Sequence, residues 1–234
     1  MTADDKEATN FFDYFDKLRF VYSGTKRIGN SAIAQGMPGY LAEDVYVCPK
    51  CLKRFDDKDD SRANYLHTNN CQTIFSETVF RQLILLIVKV TATSPINEQQ
   101  ICERMSEISR IEQQRSSPML REGEWTTKER QLEVFLLIKG EEAVGYIVIG
   151  RTNLAEKNCQ QPIVADMFMA MEHREVAMDR IRRKKSHMKF LMLKSLESMH
   201  QRFDTVKFQG PISEYGEKLL DKVAKELGVG YQTC

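Results

Sequence analysis

The spacing of apolar and polar positions divides the chain into three stretches. Residues 1–43 open polar, carry Phe11, Phe12, Tyr14, Phe15, Leu18, Phe20 and Val21, and then run through Gly24, Gly29, Gly36, Pro38 and Gly39. They read as an N-terminal tail, an amphipathic segment followed by a flexible linker. Residues 44–72 form a compact unit that begins with the strand-like Val45-Tyr46-Val47 and ends at Cys71. Residues 73–234 make a longer domain. There, Phe80 to Thr91 is rich in β-branched residues and bounded by Ser and Pro, which predicts one buried strand. Asn97, with Gln100 three residues on, reads as a capping box. Ile101, Met105, Ile108 and Ile111 follow at helical spacing, predicting a helix to about Gln114. Ser116-Ser117-Pro118 breaks it, and Met119 to Glu129 reads as a loop. Leu132 to Lys139 and Ala143 to Gly150 are β-rich runs joined by Gly140-Glu141-Glu142, a hairpin signature. A strand over Ile163 to Met171, a helix over Arg182 to Arg202, a short strand over Thr205 to Phe208 and a last amphipathic helix over Glu214 to Leu227 follow, with Gly228 as the C-cap. This order predicts an α/β (α+β) domain: a mixed sheet flanked by helices.

Composition narrows the classes. At 234 residues, 42% hydrophobic, the chain is long enough for one sizeable core plus a small appendage. Its formal net charge of +1 gives no bulk attraction to polyanions. The longest apolar run, Leu83 to Val88, is far short of the roughly 20 residues needed to cross a bilayer. No membrane association is expected. The acidic, apolar-poor N-terminus carries no secretory signal, so a cytosolic or nuclear compartment is expected.

In such a compartment a close cysteine pair points to metal rather than to a disulfide. Cys48-Pro49-Lys50-Cys51 is followed, fifteen residues on, by His67 and then Cys71. This is the spacing of a structural zinc site: a C-x2-C knuckle brings two thiolates to one ion, and His67 and Cys71, four apart on a helix, share a face. With four protein ligands no position is left for a reactive water, so Zn2+ here is structural, in a small ββα-like zinc finger with Phe55 and Leu66 as its core. Five basic and four acidic residues between Cys48 and Cys71 make the unit nearly neutral, unlike a groove-reading finger.

A second feature is the basic turn Arg180-Ile181-Arg182-Arg183-Lys184-Lys185-Ser186-His187, which opens the 182–202 helix. From Arg174 to Lys189 there are seven basic against two acidic residues. Unpaired N–H groups and the positive dipole end at a helix start suit a phosphate or pyrophosphate, which makes Arg182, Arg183, Lys184, Lys185 and Ser186 candidate cofactor-binding residues. A nuclear localisation patch or a solvated basic face are the rival uses. No Gly lies between Glu172 and Phe208, so neither a Walker loop nor a dinucleotide fingerprint is available.

Hairpin, strand, Arg-rich turn, helix, strand and helix, in that order, resemble the GNAT N-acetyltransferase fold. The CPxC finger upstream makes the layout similar to the ESCO-type sister-chromatid cohesion acetyltransferases. In that family an RRKxxA-like turn corresponds to Arg182-Arg183-Lys184-Lys185-Ser186-His187, and an F-S-D-P-x-x-D-G-x-x-F segment to Phe208-Gln209-Gly210-Pro211-Ile212-Ser213-Glu214-Tyr215-Gly216. His187 stands where the family has Ala, and Gln209 and Gly210 replace its Ser and Asp. The MYST acetyltransferases are a second resemblance, through C-x2-C…H-x3-C and a P-L-S-x-x-G segment similar to Pro211 to Gly216, but their Q-x-x-G-x-G turn is unmatched.

The ESCO resemblance implies acetyl transfer from acetyl-CoA to a lysine ε-amine of the cohesin ATPase subunit, in the nucleus and on chromatin. It places the pyrophosphate at the Arg182 turn and backbone donors on the Ile163 strand. Removing a proton from an ammonium of pKa about 10.4 requires a base. Asp166 and Glu214 are the candidate catalytic carboxylates, with Glu172 a third and Tyr215 a candidate acid for the departing thiolate. Two other classes stand beside this reading: a catalytically degenerate acetyltransferase-like binding protein, and a zinc-containing nucleic-acid-binding protein making weak contacts through residues 174–189.

Overall fold

The computed structural model describes residues 19–21, 45–48, 50–55, 67, 70–113, 115, 117–125, 130–152, 162–169, 187–199, 203–209 and 214–233. In chain order the elements are β1 (Arg19–Val21), β2 (Val45–Val47), β3 (Arg54–Phe55), β4 (Thr78–Gln82), β5 (Leu85–Thr91), α1 (Ile96–Gln113), β6 (Arg130–Lys139), β7 (Glu142–Thr152), β8 (Ile163–Met169), α2 (His187–Glu197), β9 (Thr205–Phe208), α3 (Glu214–Leu227) and β10 (Gly230–Thr233). They build a three-stranded sheet, β1-β2-β3, and a seven-stranded sheet in the order β10-β9-β8-β7-β6-β5-β4. The large sheet is mixed. From β4 to β8 every neighbour is antiparallel, while β8–β9 and β9–β10 are parallel. This is the expected mixed sheet flanked by helices, preceded by the cysteine-bearing unit.

Strand alternation divides the core between the two faces of the sheet. Val88, Val90, Val134, Leu136, Ile138, Tyr146, Val148 and Phe168 pack with Ile101, Met105 and Ile108 of α1. Their neighbours Ile87, Phe135, Leu137, Ile147, Ile149 and Val164 pack with Leu191, Met192 and Leu196 of α2 and Leu219, Leu220 and Val223 of α3. Burial on both faces explains why β6 and β7 read as near-continuous apolar runs.

Four local readings change. The run from Phe80 to Thr91 is two strands, because Leu83 takes a left-handed conformation (φ 50°) and turns the chain back, pairing Gln82 with Leu85. Helix α1 starts at Ile96 just after Pro95, whose fixed φ and missing N–H suit a first turn. Gln99, rather than an Asn97–Gln100 box, reaches back to the Ser94 and Ala92 carbonyls at 2.7 and 3.1 Å. Strand β1 lies in the stretch read as tail and pairs antiparallel with β2, Phe20 opposite Tyr46. Beyond α3 the chain adds β10. Gly228 (φ 69°) ends α3 with Val229 N–H donating to the Ala224 carbonyl at 3.0 Å, and Gly230 N–H then donates to Asp204 at 2.7 Å to begin the parallel pairing with β9. The helix expected over 182–202 is α2 over His187–Glu197, and residues 182–186 and 200–202 lie outside the described residues. Among the described residues no helix is long and apolar enough to cross a membrane.

Candidate functional site

The first site is the metal cluster. Strand β2 leads directly into Cys48, whose N–H donates to the Lys53 carbonyl at 2.9 Å, while Leu52 (φ 60°) donates to the Cys48 carbonyl at 2.9 Å. The resulting tight knuckle turns Cys48 and Cys51 toward the same point. The ligand atoms of Cys48, Cys51, His67 and Cys71 all lie within 4.8 Å of one another, with Cys51 Sγ 3.2 Å from His67 Nε2. Sulfur ligands around tetrahedral zinc, with arms of about 2.3 Å, sit roughly 3.8 Å apart, so the set fits zinc in both geometry and donor type. The Cys48 thiol, donating to Cys51, together with the Lys53 backbone and His67 bonds, pulls the Cys51 thiol down. The same hydrogen bond, together with burial, pushes Cys48 up, and burial pushes Cys71 up. Phe55 and Leu66, read as the finger's core, have side chains outside the described residues. Among the described residues the knuckle region buries Val47 and Leu52, and both belong to the α1-side core of the main domain. Arg104 of α1 donates to the Cys51 carbonyl at 3.0 Å, and Lys50 pairs with Glu141 of the β6–β7 turn at 2.8 Å.

The second site lies where β8 meets β9. Their parallel register covers only Ile163 opposite Lys207 and Val164 opposite Phe208, extended by Lys207 N–H to the Pro162 carbonyl and Gln209 N–H to the Val164 carbonyl, both at 2.9 Å. Strand β8 continues to Met169, whereas β9 ends at Phe208, so β8 runs on past the end of its pairing with β9. At the same place the β7–β8 ladder slips by one residue between Val148 and Ile149, leaving Ala165 as a bulge. A bulge bends its strand and increases its twist, here just where the pairing with β9 ends. Glycine is required at one position nearby: a Cβ on Gly145 would meet the Phe168 carbonyl oxygen at 2.7 Å and Met169 Cε at 2.8 Å.

Asp166 follows the bulge directly. Its Oδ1 accepts from Arg115 Nη1 at 2.7 Å and from the Met167 N–H at 2.9 Å, and its Oδ2 accepts from the Tyr146 hydroxyl. Its side chain is 3% exposed. The carboxylate read from the sequence as a candidate base is therefore a buried hub whose oxygens already accept from three donors. Tyr146 and Arg115 were not legible as site residues. Tyr146 sits in an apolar strand run, and its one signal is a hydroxyl where Phe would pack equally well. Glu214 opens α3, the element that follows β9 in the chain, and its side chain lies outside the described set. Arg182, Arg183, Lys184, Lys185 and Ser186, like Glu172, lie outside the described residues, in the connection that leads from β8 into α2.

No protein-family model matches the chain, and no curated protein matches it. Among solved structures the chain is similar to the acetyltransferase domain of xEco2 bound to a CoA conjugate, at 13% identity and a TM-score of 0.45, over 64% of this chain and 93% of that one.

Proposed function

We propose that this protein is an acetyl-CoA-dependent protein-lysine N-acetyltransferase of the ESCO type. The observation that carries the reading is that β8 runs on, at a bulge, past the end of its parallel pairing with β9, with a basic connection between β8 and α2. In open sheets containing parallel strands, ligands bind beyond the carboxyl ends of the strands, where the chain diverges. An extended thioester carrier fits alongside the stretch of β8 that lies beyond its pairing with β9. Arg182, Arg183, Lys184, Lys185 and Ser186, entering α2, would hold its diphosphate through charge and helix-start N–H groups.

The lysine nitrogen attacks the thioester carbonyl, the C–N bond forms, the C–S bond breaks, the ammonium proton goes to a base and the leaving thiolate takes up a proton. Glu214, at the start of α3, is the base in this proposal, and Tyr215 the acid. Zinc on Cys48, Cys51, His67 and Cys71 is structural. The nuclear setting and the cohesin ATPase subunit as acceptor rest on the resemblance in the CPxC and Arg-Arg-Lys segments.

Titration calorimetry with acetyl-CoA, followed by mass spectrometry for acetyl-lysine on cohesin ATPase subunit incubated with the chain, tests this. Micromolar binding and site-specific acetylation are expected, with Glu214→Gln lowering kcat about 100-fold. Absence of acetyl-CoA binding at millimolar concentration would overturn the proposal.

A further inference from the structure

Along a regular strand successive side chains face opposite sides of the sheet. Val164 packs toward α2 and α3 and Ala165 toward α1, so an unbulged β8 would turn Asp166 away from α1. The slip at Ala165 resets the phase. Asp166 lies opposite Val148, on the α1 side, and meets Tyr146 of β7 and Arg115 just beyond α1. Arg115 is itself held by its N–H donating to the Arg110 carbonyl at 3.0 Å. Three pieces of chain thus converge on one carboxylate: the end of α1, β7, and the residue after Asp166 in β8. The register with β9 ends at Val164, the residue immediately before the bulge.

A buried carboxylate is costly unless it is paired and hydrogen-bonded, and here both requirements are met by groups that also fix the backbone around it. Its bond to Met167 N–H fixes its own carboxylate against the backbone directly after the bulge, and the bonds to Tyr146 and Arg115 tie that point to the sheet and to the chain just beyond α1. Burial together with the Asp166 charge pushes the Tyr146 phenol up, so its hydroxyl remains a donor throughout the neutral range.

We propose that Asp166, clamped by Arg115 and Tyr146, is a positioning residue that locks the bulge in β8 and thereby fixes the edge of β8 that runs on past its pairing with β9, and is not the proton acceptor of the reaction. This rests on the acetyltransferase reading for its functional consequence, while the lock itself is a statement about the fold.

The test uses the full chain and three variants. Asp166→Ala deletes the acceptor, Arg115→Gln removes the charged partner on the exposed side, and Asp166→Asn keeps an acceptor that cannot take a proton. Hydrogen exchange should show amides 165–169 exchanging at least about 10-fold faster in Asp166→Ala and Arg115→Gln, with β5 and β6 unchanged. Because one misplaced strand edge is felt as lost positioning, Asp166→Ala should lower kcat/KM about 100-fold, and Asp166→Asn should recover most of that loss with the midpoint of the pH–rate profile unmoved. An Asn variant as inactive as the Ala variant, or one that loses the acid limb of the profile, makes Asp166 the base and overturns the proposal, as does unaltered exchange at 165–169. Should Asp166→Ala not fold, Arg115→Gln carries the exchange measurement. If the unaltered chain neither binds acetyl-CoA nor transfers acetyl, the acetyltransferase reading fails, and the exchange arm still decides the lock.

Discussion

The Tyr146 hydroxyl illustrates how one atom in an apolar layer acquires consequences that composition does not announce. Buried beside Asp166, the phenol keeps its proton in the folded chain to higher pH than it would in the unfolded chain, where it titrates near pH 10. The stabilisation from this group is therefore fully present below about pH 10 and is lost as pH rises beyond it. Tyr146→Phe should remove that alkaline loss. Urea midpoints of the two proteins, followed from pH 8 to 11, should differ by a constant amount below about pH 10 and converge above it; parallel curves throughout would mean that the phenol is not so held. The ligand residues behave differently. Cys48, Cys51, His67 and Cys71 were legible from residue type and spacing, because soft donors four to a site have few other uses in such a pattern. Asp166 was legible as a carboxylate in a strand but not as a buried one, since its side of the sheet depends on a bulge that has no sequence signature of its own.

Among the elements, the β4–β5 hairpin departs furthest from its pattern. Its turn is Leu83-Ile84, with no Gly or Asn, and the Leu83 side chain is 96% exposed while its backbone is left-handed. A left-handed conformation costs a branched residue about 1–2 kcal/mol and an exposed Leu regains nothing by burial. Leu83→Asn should therefore raise stability by about 0.5–1 kcal/mol in urea unfolding, and a lower midpoint would show that Leu83 makes a contact worth more than the strain. The same run shows why one strand was expected where two occur: six successive apolar residues carry no period, so nothing local marks the reversal. The pairing of Gly140 N–H with the Ile84 carbonyl supplies the mark from a distant turn. Where periodicity was strong the elements stand as read, α3 at Glu214–Leu227 with its glycine cap and the β6–β7 hairpin with its turn at Gly140 among them.

At the scale of the molecule, the cysteine-bearing unit is not an independent bead. Val47 and Leu52 share a core with Ile101, Met105, Tyr146 and Phe168, and Arg104 and Lys50 tie the knuckle to α1 and to the β6–β7 turn. Zinc loss should consequently be felt across the domain. Elemental analysis should find one zinc per chain, and a strong chelator or Cys51→Ser should remove it and lower Tm by about 10 °C in a single transition. A separate low-temperature step, with the main transition unmoved, would show the unit to be autonomous. The sequence by itself determined the ligand set, the two-faced apolar strands, the helices of clear period and the order hairpin, strand, helix, strand, helix, because each depends on residue type or on spacing within a few positions. Only the tertiary structure decided that residues 19–21 complete the finger's sheet, that the 80–91 run folds back, and that β8 bulges at Ala165 to turn Asp166 onto Arg115 and Tyr146. Each of these joins groups distant along the chain, and their energy exists only once both partners are in place.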